Sequence, residues 1–296
     1  MSLSIGVLAT RHIWIGVVDQ DHLSGTVRIY PEPGHPDDNL RVMPADELAQ
    51  RMCEQIVLVA RDAEIAAAGI GFPGILAAGV VEDSPNLQQF KGFHLQEMLA
   101  AGLAREGFRF PVSVLNDADA IAAGIAATRG QLERLVRVWY LGDGIGYGRY
   151  PRTGQPGEGG HMVVTLDPRE RYCGCGGIGH LEGIMGQRAM RLRFLDLEPD
   201  EVFANAEAGD ARCSEFVRLW HRALAAASAC CIHLEGAGKF FITGPNAEFL
   251  DTTLLSQYLQ EMVTLSPLQG SFFEVLPTTH HELAIIGAAT AALSAA

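Results

Sequence analysis

The sequence lacks several features that would place a protein in a class at once. It has no run of about 18 apolar residues that could span a bilayer, and no basic start followed by an apolar signal core. It has no Lys/Arg-rich run, and 22 Lys and Arg against 35 Asp and Glu give a net charge of −13. Because an acidic surface repels phosphate backbones and anionic lipid, we expect neither a nucleic-acid nor a membrane partner. A cytoplasmic protein is the resulting expectation.

Few of the cysteines have the spacing of a metal-binding or redox motif. Four of the six cysteines show no motif spacing, and in a reducing compartment they are expected to be small buried hydrophobes: Cys53, Cys213, Cys230 and Cys231. No segment is of low complexity. With 48% hydrophobic and 19% charged residues in 296, the chain is not disordered, and its length predicts two packed lobes.

The first part of the chain alternates short β-rich runs with helical patterns. This alternation predicts a layered α/β domain with a largely parallel sheet. The predicted strands cover residues 4–9, 13–18, 26–30, 65–71 and 112–115, and the predicted helices cover 45–60, 95–106 and 118–129.

A second α/β cycle begins near residue 135, so that both halves open with a β-hairpin. Its first strand leads into the glycine-rich stretch 142–148. The predicted strands cover residues 136–141, 162–166, 239–243 and 272–276, and the predicted helices cover 181–195, 211–236, 246–262 and 282–293.

The most specific segment combines histidine and cysteine. Gly157-Glu158-Gly159-Gly160-His161 is followed by Cys173-Gly174-Cys175-Gly176-Gly177-Ile178-Gly179-His180-Leu181-Glu182. Two imidazoles and two thiolates are the number and type of donors that a closed tetrahedral zinc site requires, and the glycine-rich turn lets both thiolates converge. The alternative is a pair of free thiols on a loop with unrelated histidines.

These residues resemble the signature of the ROK family (repressors, open reading frames, sugar kinases), a GExGH motif followed by CxCGxxGCxE. The third cysteine of that signature is His180 here. Since zinc accepts imidazole as readily as thiolate, the resemblance implies a structural zinc held by His161, Cys173, Cys175 and His180, with His180 the least secure ligand. Upstream, three further segments look like the family's sugar-binding and catalytic motifs in the expected order: residues 71–74, 84–87 and 115–120.

The resemblance implies a role for each matching polar residue. Asp117 would be the general base, because a carboxylate at a strand end that opens a helix can meet a sugar hydroxyl within hydrogen-bond reach. The alternative for Asp117 is a helix cap. Five residues would bind sugar hydroxyls: Asn86, Asn116, Glu158, His161 and Glu182.

The nucleotide side of the pattern is eroded. The family's kinases carry an Asp-x-Gly-Gly-Thr turn where this chain has Val7-Leu8-Ala9-Thr10-Arg11. The second phosphate loop is better kept, at Gly142, Asp143, Gly144 and Gly146, although Asp143 places negative charge where a hydroxyl would favour phosphate. Gly244 stands in the expected adenosine-binding turn, Thr243-Gly244-Pro245-Asn246, where two of three glycines are replaced.

Two functions remain open at this point. The first is a sugar kinase that uses ATP and magnesium to phosphorylate a hydroxyl of a hexose or amino sugar. The second is a non-catalytic sugar-binding protein, because the family's repressors keep the sugar pocket as a sensor. Those repressors carry an N-terminal DNA-binding module, which does not precede the first strand in this sequence and is either absent or removed.

The family's fold sets the expected architecture. The resemblance implies the two-lobed α/β fold of actin-like ATPases and ribonuclease H, with a sugar cleft between the lobes. The expected N-terminal lobe covers residues 1–117 and is joined by the closing helix 281–296, and a larger C-terminal lobe covers 118–280 and carries the zinc loop. The family also suggests a homodimer.

Overall fold

The computed structural model describes residues 3–34, 40–61, 63–85, 87–151, 157–277 and 280–295. The chain forms two compact α/β units. Unit 1 comprises residues 1–137, 148–157 and 279–296, and unit 2 comprises residues 138–147 and 158–278. The helix that follows Asn116 therefore lies in unit 1, past the expected boundary at residue 118. Among the described residues, no helix is long and apolar enough to cross a membrane.

Unit 1 is built on a five-stranded mixed sheet. Its strands are β1 (Leu3–Ala9), β2 (Ile13–Asp19), β3 (His22–Tyr30), β4 (Ile65–Phe72) and, after a small hairpin of β5 (Ile75–Ala77) and β6 (Val80–Asp83), β7 (Val112–Asn116). The order is β3-β2-β1-β4-β7. β1, β4 and β7 are parallel, whereas β1, β2 and β3 are antiparallel, because they follow one another through tight turns. The sheet is therefore mixed rather than largely parallel.

Helices cover both faces of this sheet. They are α1 (Ala45–Ala60), α2 (Leu95–Arg105), α3 (Asp117–Thr128) and the closing helix of the chain, His280–Ala295. Side chains of α1 and α2 join Ile5, Val7 and Ala9 of β1 in one apolar core, while the closing helix packs on the other face against Gly6. The closing helix is apolar around most of its circumference because it lies between the sheet and α3.

Unit 2 contains a four-stranded sheet and a helical layer. Its strands are β8 (Val136–Leu141), β9 (Ile145–Tyr150), β10 (Lys239–Thr243) and β11 (Phe272–Val275), in the order β11-β10-β8-β9, so the first residues of β8 and the last of β9 belong to unit 1. Its helices are α4 (Leu181–Met185), α5 (Gln187–Arg193), α6 (Pro199–Glu207), α7 (Ala211–Glu235) and α8 (Thr252–Met262), and the closing helix of unit 1 is α9. One apolar core around Trp139 and Trp220 joins the sheet to these helices.

Several predicted elements differ in the structure. Residues 162–166 form no strand, because the segment makes only a single bridge, between Val163 and His180. The helix predicted over 181–195 is broken at Gly186, whose extended backbone separates α4 from α5. The helix predicted over 246–262 is a 3-10 helix, Pro245–Phe249, and then α8, which Asp251 caps. The β5–β6 hairpin and α6 were not predicted.

Candidate functional site

The end of β7 and the start of α3 carry the predicted base in unit 1. Asn116 is the N-cap of α3: its side-chain oxygen accepts hydrogen bonds from the backbone N–H of Ala118 at 2.8 Å and of Asp119 at 3.3 Å. Its amide nitrogen donates to the carbonyl oxygen of Gly74 at 3.0 Å. Asp117 is the first residue of the helix itself. The capping role that the sequence left open for Asp117 therefore falls to Asn116.

The turn after β4 is held against this helix start. Gly74 has a φ of +113°, and a Cβ there would collide with the backbone at Asp83, so glycine is required at this position. The buried Ser84 hydroxyl donates to the carbonyl oxygen of Pro73 at 2.8 Å. The turn at residues 71–74 thus contacts both other upstream motifs, 115–120 through Asn116 and 84–87 through Ser84. Asn86, the predicted sugar ligand in the motif 84–87, lies outside the described residues.

Asp117 has the acid–base property that a general base needs. Burial raises the pKa of its carboxyl to about 6, the nearby charge of Asp119 acts in the same direction, and the hydrogen bond from the N–H of Ala118 opposes both. That N–H lies 2.9 Å from an Asp117 side-chain oxygen and is shared with Asn116. At pH 7 the carboxylate is ionised and is a stronger proton acceptor than an ordinary aspartate.

The four predicted metal ligands come together in unit 2. Their ligand atoms all lie within 4.8 Å of one another. The two Nδ1 atoms of His161 and His180 are 3.3 Å apart, and the two Sγ atoms of Cys173 and Cys175 are 3.4 Å apart. Sγ of Cys173 is 3.5 Å from Nδ1 of His161, and Sγ of Cys175 is 3.2 Å from Nδ1 of His180. The structure thus places both histidines beside both thiols.

Four of the six distances between these ligand atoms, 3.2–3.5 Å, lie near the edges of a zinc tetrahedron, and all six lie within 4.8 Å. Zinc bonds of about 2.3 Å to sulfur and about 2.0 Å to nitrogen would place ligand atoms about 3.3–3.8 Å apart. Without a cation, burial raises the pKa of the Cys173 thiol to about 12, so a thiolate there requires positive charge among the four atoms. Because both histidines face the cluster through Nδ1, the Nε2 of His161 is available for another contact.

Glu182 links the metal cluster to the glycine-rich hairpin that joins β8 to β9. It lies in the first turn of α4, two residues after His180. One carboxylate oxygen accepts from the backbone N–H of Ile145 at 3.0 Å, and the other lies 3.7 Å from Sγ of Cys173. The hairpin closes with the N–H of Gly142 donating to the carbonyl of Gly144 at 3.0 Å, and it exposes Asp143 at its tip. Gly146 is the second residue of β9. Glu158 directly precedes the 3-10 helix Gly159–His161.

Two residues that the sequence analysis missed connect this hairpin to the turn after β10. The fully buried Asn246, two residues after Gly244, donates to the carbonyl of Gly142 at 3.2 Å. That carbonyl also accepts from the backbone N–H of Gln187 at 3.1 Å, and the Gln187 side chain donates to Asn246 at 2.7 Å. The predicted phosphate hairpin and the predicted adenosine turn therefore share one hydrogen-bond network. The local sequence signal for this network was the asparagine that follows Gly244 and Pro245.

Known proteins resemble the chain in sequence. The ROK family profile matches residues 37–294. A glucokinase of Pyrobaculum calidifontis is 32% identical over 178 residues, which are 55% of this chain and 57% of the glucokinase. A xylose repressor of Caldicellulosiruptor bescii is 31% identical over 133 residues, or 41% of this chain and 31% of the repressor. The matches thus span little more than half of the glucokinase and about a third of the repressor.

Solved structures resemble the chain over almost its whole length. The ROK hexokinase of Thermus thermophilus superposes with a TM-score of 0.80 at 23% identity, covering 99% of this chain and 98% of that one. A ROK family glucokinase of Streptomyces griseus, determined with glucose and AMPPNP, has a TM-score of 0.71 at 23% identity and covers 99% and 100% of the two chains. At this identity the likeness establishes the fold, the two-domain α/β fold of actin-like ATPases. The chain belongs to the ROK family.

Proposed function

We propose that the protein is a sugar kinase that transfers the terminal phosphoryl group of ATP to a hydroxyl of a hexose or an amino sugar. The observation that carries this proposal is the helix start at Asn116 and Asp117. Asn116 satisfies the first N–H groups of α3, and burial gives Asp117 a pKa of about 6. The glucokinase relative supports the same reaction class.

Asp117 would take the proton of the attacking sugar hydroxyl. The hydroxyl oxygen then forms a bond to the terminal phosphorus of ATP, the bond from that phosphorus to the bridging oxygen breaks, and ADP leaves. The proton stays on the Asp117 carboxyl until it is released to solvent. The sugar would be oriented by Asn86, Asn116, Glu158, His161 and Glu182, of which Asn116 and Glu182 also make the protein contacts described above.

The hairpin at Gly142–Gly146 would receive the phosphates of ATP, and the turn at Gly244 the nucleoside. Backbone amides suit this task because they supply dipoles without added charge. For magnesium, the family's N-terminal carboxylate is replaced in this chain by the stretch that contains Ala9 and Arg11. Because magnesium in such sites is held largely by the substrate phosphates and by one or two carboxylates, it would arrive as the ATP complex.

A structural zinc would be held by His161, Cys173, Cys175 and His180. The convergence of two imidazoles and two thiols, with ligand atoms within 4.8 Å of one another, supports this assignment. Four protein ligands leave no open position for water or substrate on the ion. The zinc would therefore have a structural role and would order the segment that carries Glu182. Metal analysis of protein purified without added metal should give about one zinc per chain, and Cys173→Ser with Cys175→Ser should remove it. A folded wild-type protein that contains no metal would refute the assignment.

A coupled ADP-release assay with ATP–Mg²⁺ and a panel of hexoses and amino sugars tests the kinase proposal. Turnover with at least one sugar is expected, and Asp117→Asn should lower kcat by a factor of at least about 10³. The matched control is Asp200→Asn, the same change at an exposed position in the first turn of α6, which should leave kcat unchanged. Phosphorylation that survives Asp117→Asn would refute the role of Asp117.

A non-catalytic sugar-binding protein is the second candidate. It is favoured by the lost glycines at Ala9 and Thr10, by the charge of Asp143, and by the repressor relative. Isothermal titration calorimetry separates the two candidates. Heat from a sugar but none from ATP–Mg²⁺ or a non-hydrolysable analogue, with or without that sugar, would favour this second function over the first.

A further inference from the structure

In unit 2, the carboxylate of Glu182 holds the phosphate hairpin at the start of β9. The backbone N–H of Ile145 donates to Glu182 at 3.0 Å, and Ile145 itself is buried. Gly144 packs so closely on the same carboxylate that a Cβ at position 144 would lie 2.5 Å from its oxygen. A side chain at Gly144 would therefore displace the Glu182 carboxylate from its present position.

A second anchor holds the hairpin at Gly142, directly after β8. The carbonyl of Gly142 is held by Asn246 and by the backbone of Gln187. The two anchors belong to different segments of the chain. Asn246 belongs to the turn after β10, whereas Glu182 follows the His/Cys cluster and has its second oxygen 3.7 Å from Cys173. Of these two anchors, Glu182 is the one that lies beside the residues assigned to sugar and metal.

We propose that Glu182 is a positioning residue for the phosphate hairpin in addition to its expected contact with sugar. A bound sugar that engages Glu182 would then fix the orientation of the Ile145 N–H, and sugar and nucleotide would each strengthen binding of the other. This coupling rests on the proposed kinase function. The anchoring of Ile145 does not, because it is a property of the protein without ligands.

Hydrogen exchange of the Ile145 amide tests the anchor directly. In the ligand-free protein, Glu182→Ala should raise the exchange rate of this amide at least about tenfold, since the N–H loses its acceptor. Glu182→Gln should restore protection, because the amide oxygen of glutamine still accepts a hydrogen bond. Glu215→Gln, at an exposed position on α7, is the matched control and should leave the amide unchanged. An Ile145 amide that exchanges at the wild-type rate in Glu182→Ala would overturn the proposal.

A second variant covers the case in which Glu182→Ala does not fold. Gly144→Ala pushes the carboxylate away without removing it, and should raise exchange of the Ile145 amide by a similar factor. If both single variants fold, the double variant should exchange no faster than either one, because both break the same contact. Wild-type exchange of Ile145 in Gly144→Ala would also overturn the anchor.

Binding of a non-hydrolysable ATP analogue tests the coupling. In the wild type, saturating sugar should lower the Kd for the analogue about fivefold or more, and this ratio should fall to about one in Glu182→Ala. A ratio unchanged by Glu182→Ala would overturn the coupling. If the wild type binds no nucleotide with any sugar, the kinase function and the coupling both fail, while the exchange of Ile145 still decides whether Glu182 anchors the hairpin.

Discussion

The raised pKa of Asp117 predicts that replacement by asparagine stabilises the protein, while the proposed role of Asp117 predicts that the same replacement abolishes activity. Burial moves the pKa of its carboxyl from 3.8 to about 6. Because the folded state disfavours the ionised form, folding carries a cost above pH 6 that disappears below about pH 4. A difference of about two pKa units corresponds to about 3 kcal/mol of unfolding free energy at neutral pH.

Asp117→Asn removes this cost with little change in shape. The asparagine oxygen can still accept the hydrogen bond that the N–H of Ala118 gives to Asp117. The variant should therefore be more stable than the wild type by about 2–3 kcal/mol at pH 8, and by less than about 1 kcal/mol at pH 4. Urea unfolding of both proteins at the two pH values measures this, with Asp200→Asn as the control that should show no such difference.

The same pKa sets the pH profile of the proposed reaction. The free enzyme needs the ionised carboxylate, so kcat/KM should fall tenfold per pH unit below about pH 6, rather than below about pH 4 as for an exposed aspartate. An Asp117→Asn protein that is no more stable than the wild type at pH 8, together with an acidic limb near pH 4, would refute the reasoning from burial.

Three further predictions concern other residues. Asn116→Ala should lower the unfolding free energy by about 1–2 kcal/mol because two N–H groups lose their cap, and Asn116→Ser, which keeps a neutral capping oxygen, should recover part of that loss in urea unfolding. Asp143→Thr should lower the KM for ATP several-fold in steady-state kinetics because it removes negative charge from the phosphate hairpin, and an unchanged or raised KM would contradict this assignment. Burial and the charge of His12 lower the pKa of His281, which stacks on Trp14, to about 4, so stability should fall as the pH drops from 6.5 towards 4. His281→Phe keeps a ring at that position, and its stability relative to the wild type should be about 2 kcal/mol more favourable at pH 5 than at pH 8 in urea unfolding.

The sequence predicted best where the signal is local. Strands such as β1 and β4 are short apolar runs bounded by turn residues, and the four metal donors lie within 20 residues of chain, so spacing alone indicates their convergence. The fold class and the family followed from the order of the motifs and are confirmed. The residue roles in the site stay predictions.

Errors arose where a local pattern competes with long-range pairing. Residues 162–166 have the composition of a strand, yet that segment meets only His180 as a bridge partner, and composition does not reveal a missing neighbour. Helix α6 is short and partly acidic, but its capping box between Glu198 and Glu201 and its first-turn Pro199 were readable signals. The contact of Gln187 with Asn246 joins residues 59 positions apart, which no local pattern predicts.

The most instructive ambiguity was between Asn116 and Asp117, because both residue types cap helices. The structure shows what the choice between them changes. If Asp117 were the cap, two N–H groups would stabilise its carboxylate and lower its pKa, as at Asp210, whose pKa is lowered mainly by the backbone N–H of Cys213. With Asn116 as the cap, those N–H groups are occupied by a neutral amide and the carboxylate keeps only a share of one of them. A neutral cap directly before a partly buried acid therefore leaves that acid with a raised pKa, as the proposed general base requires.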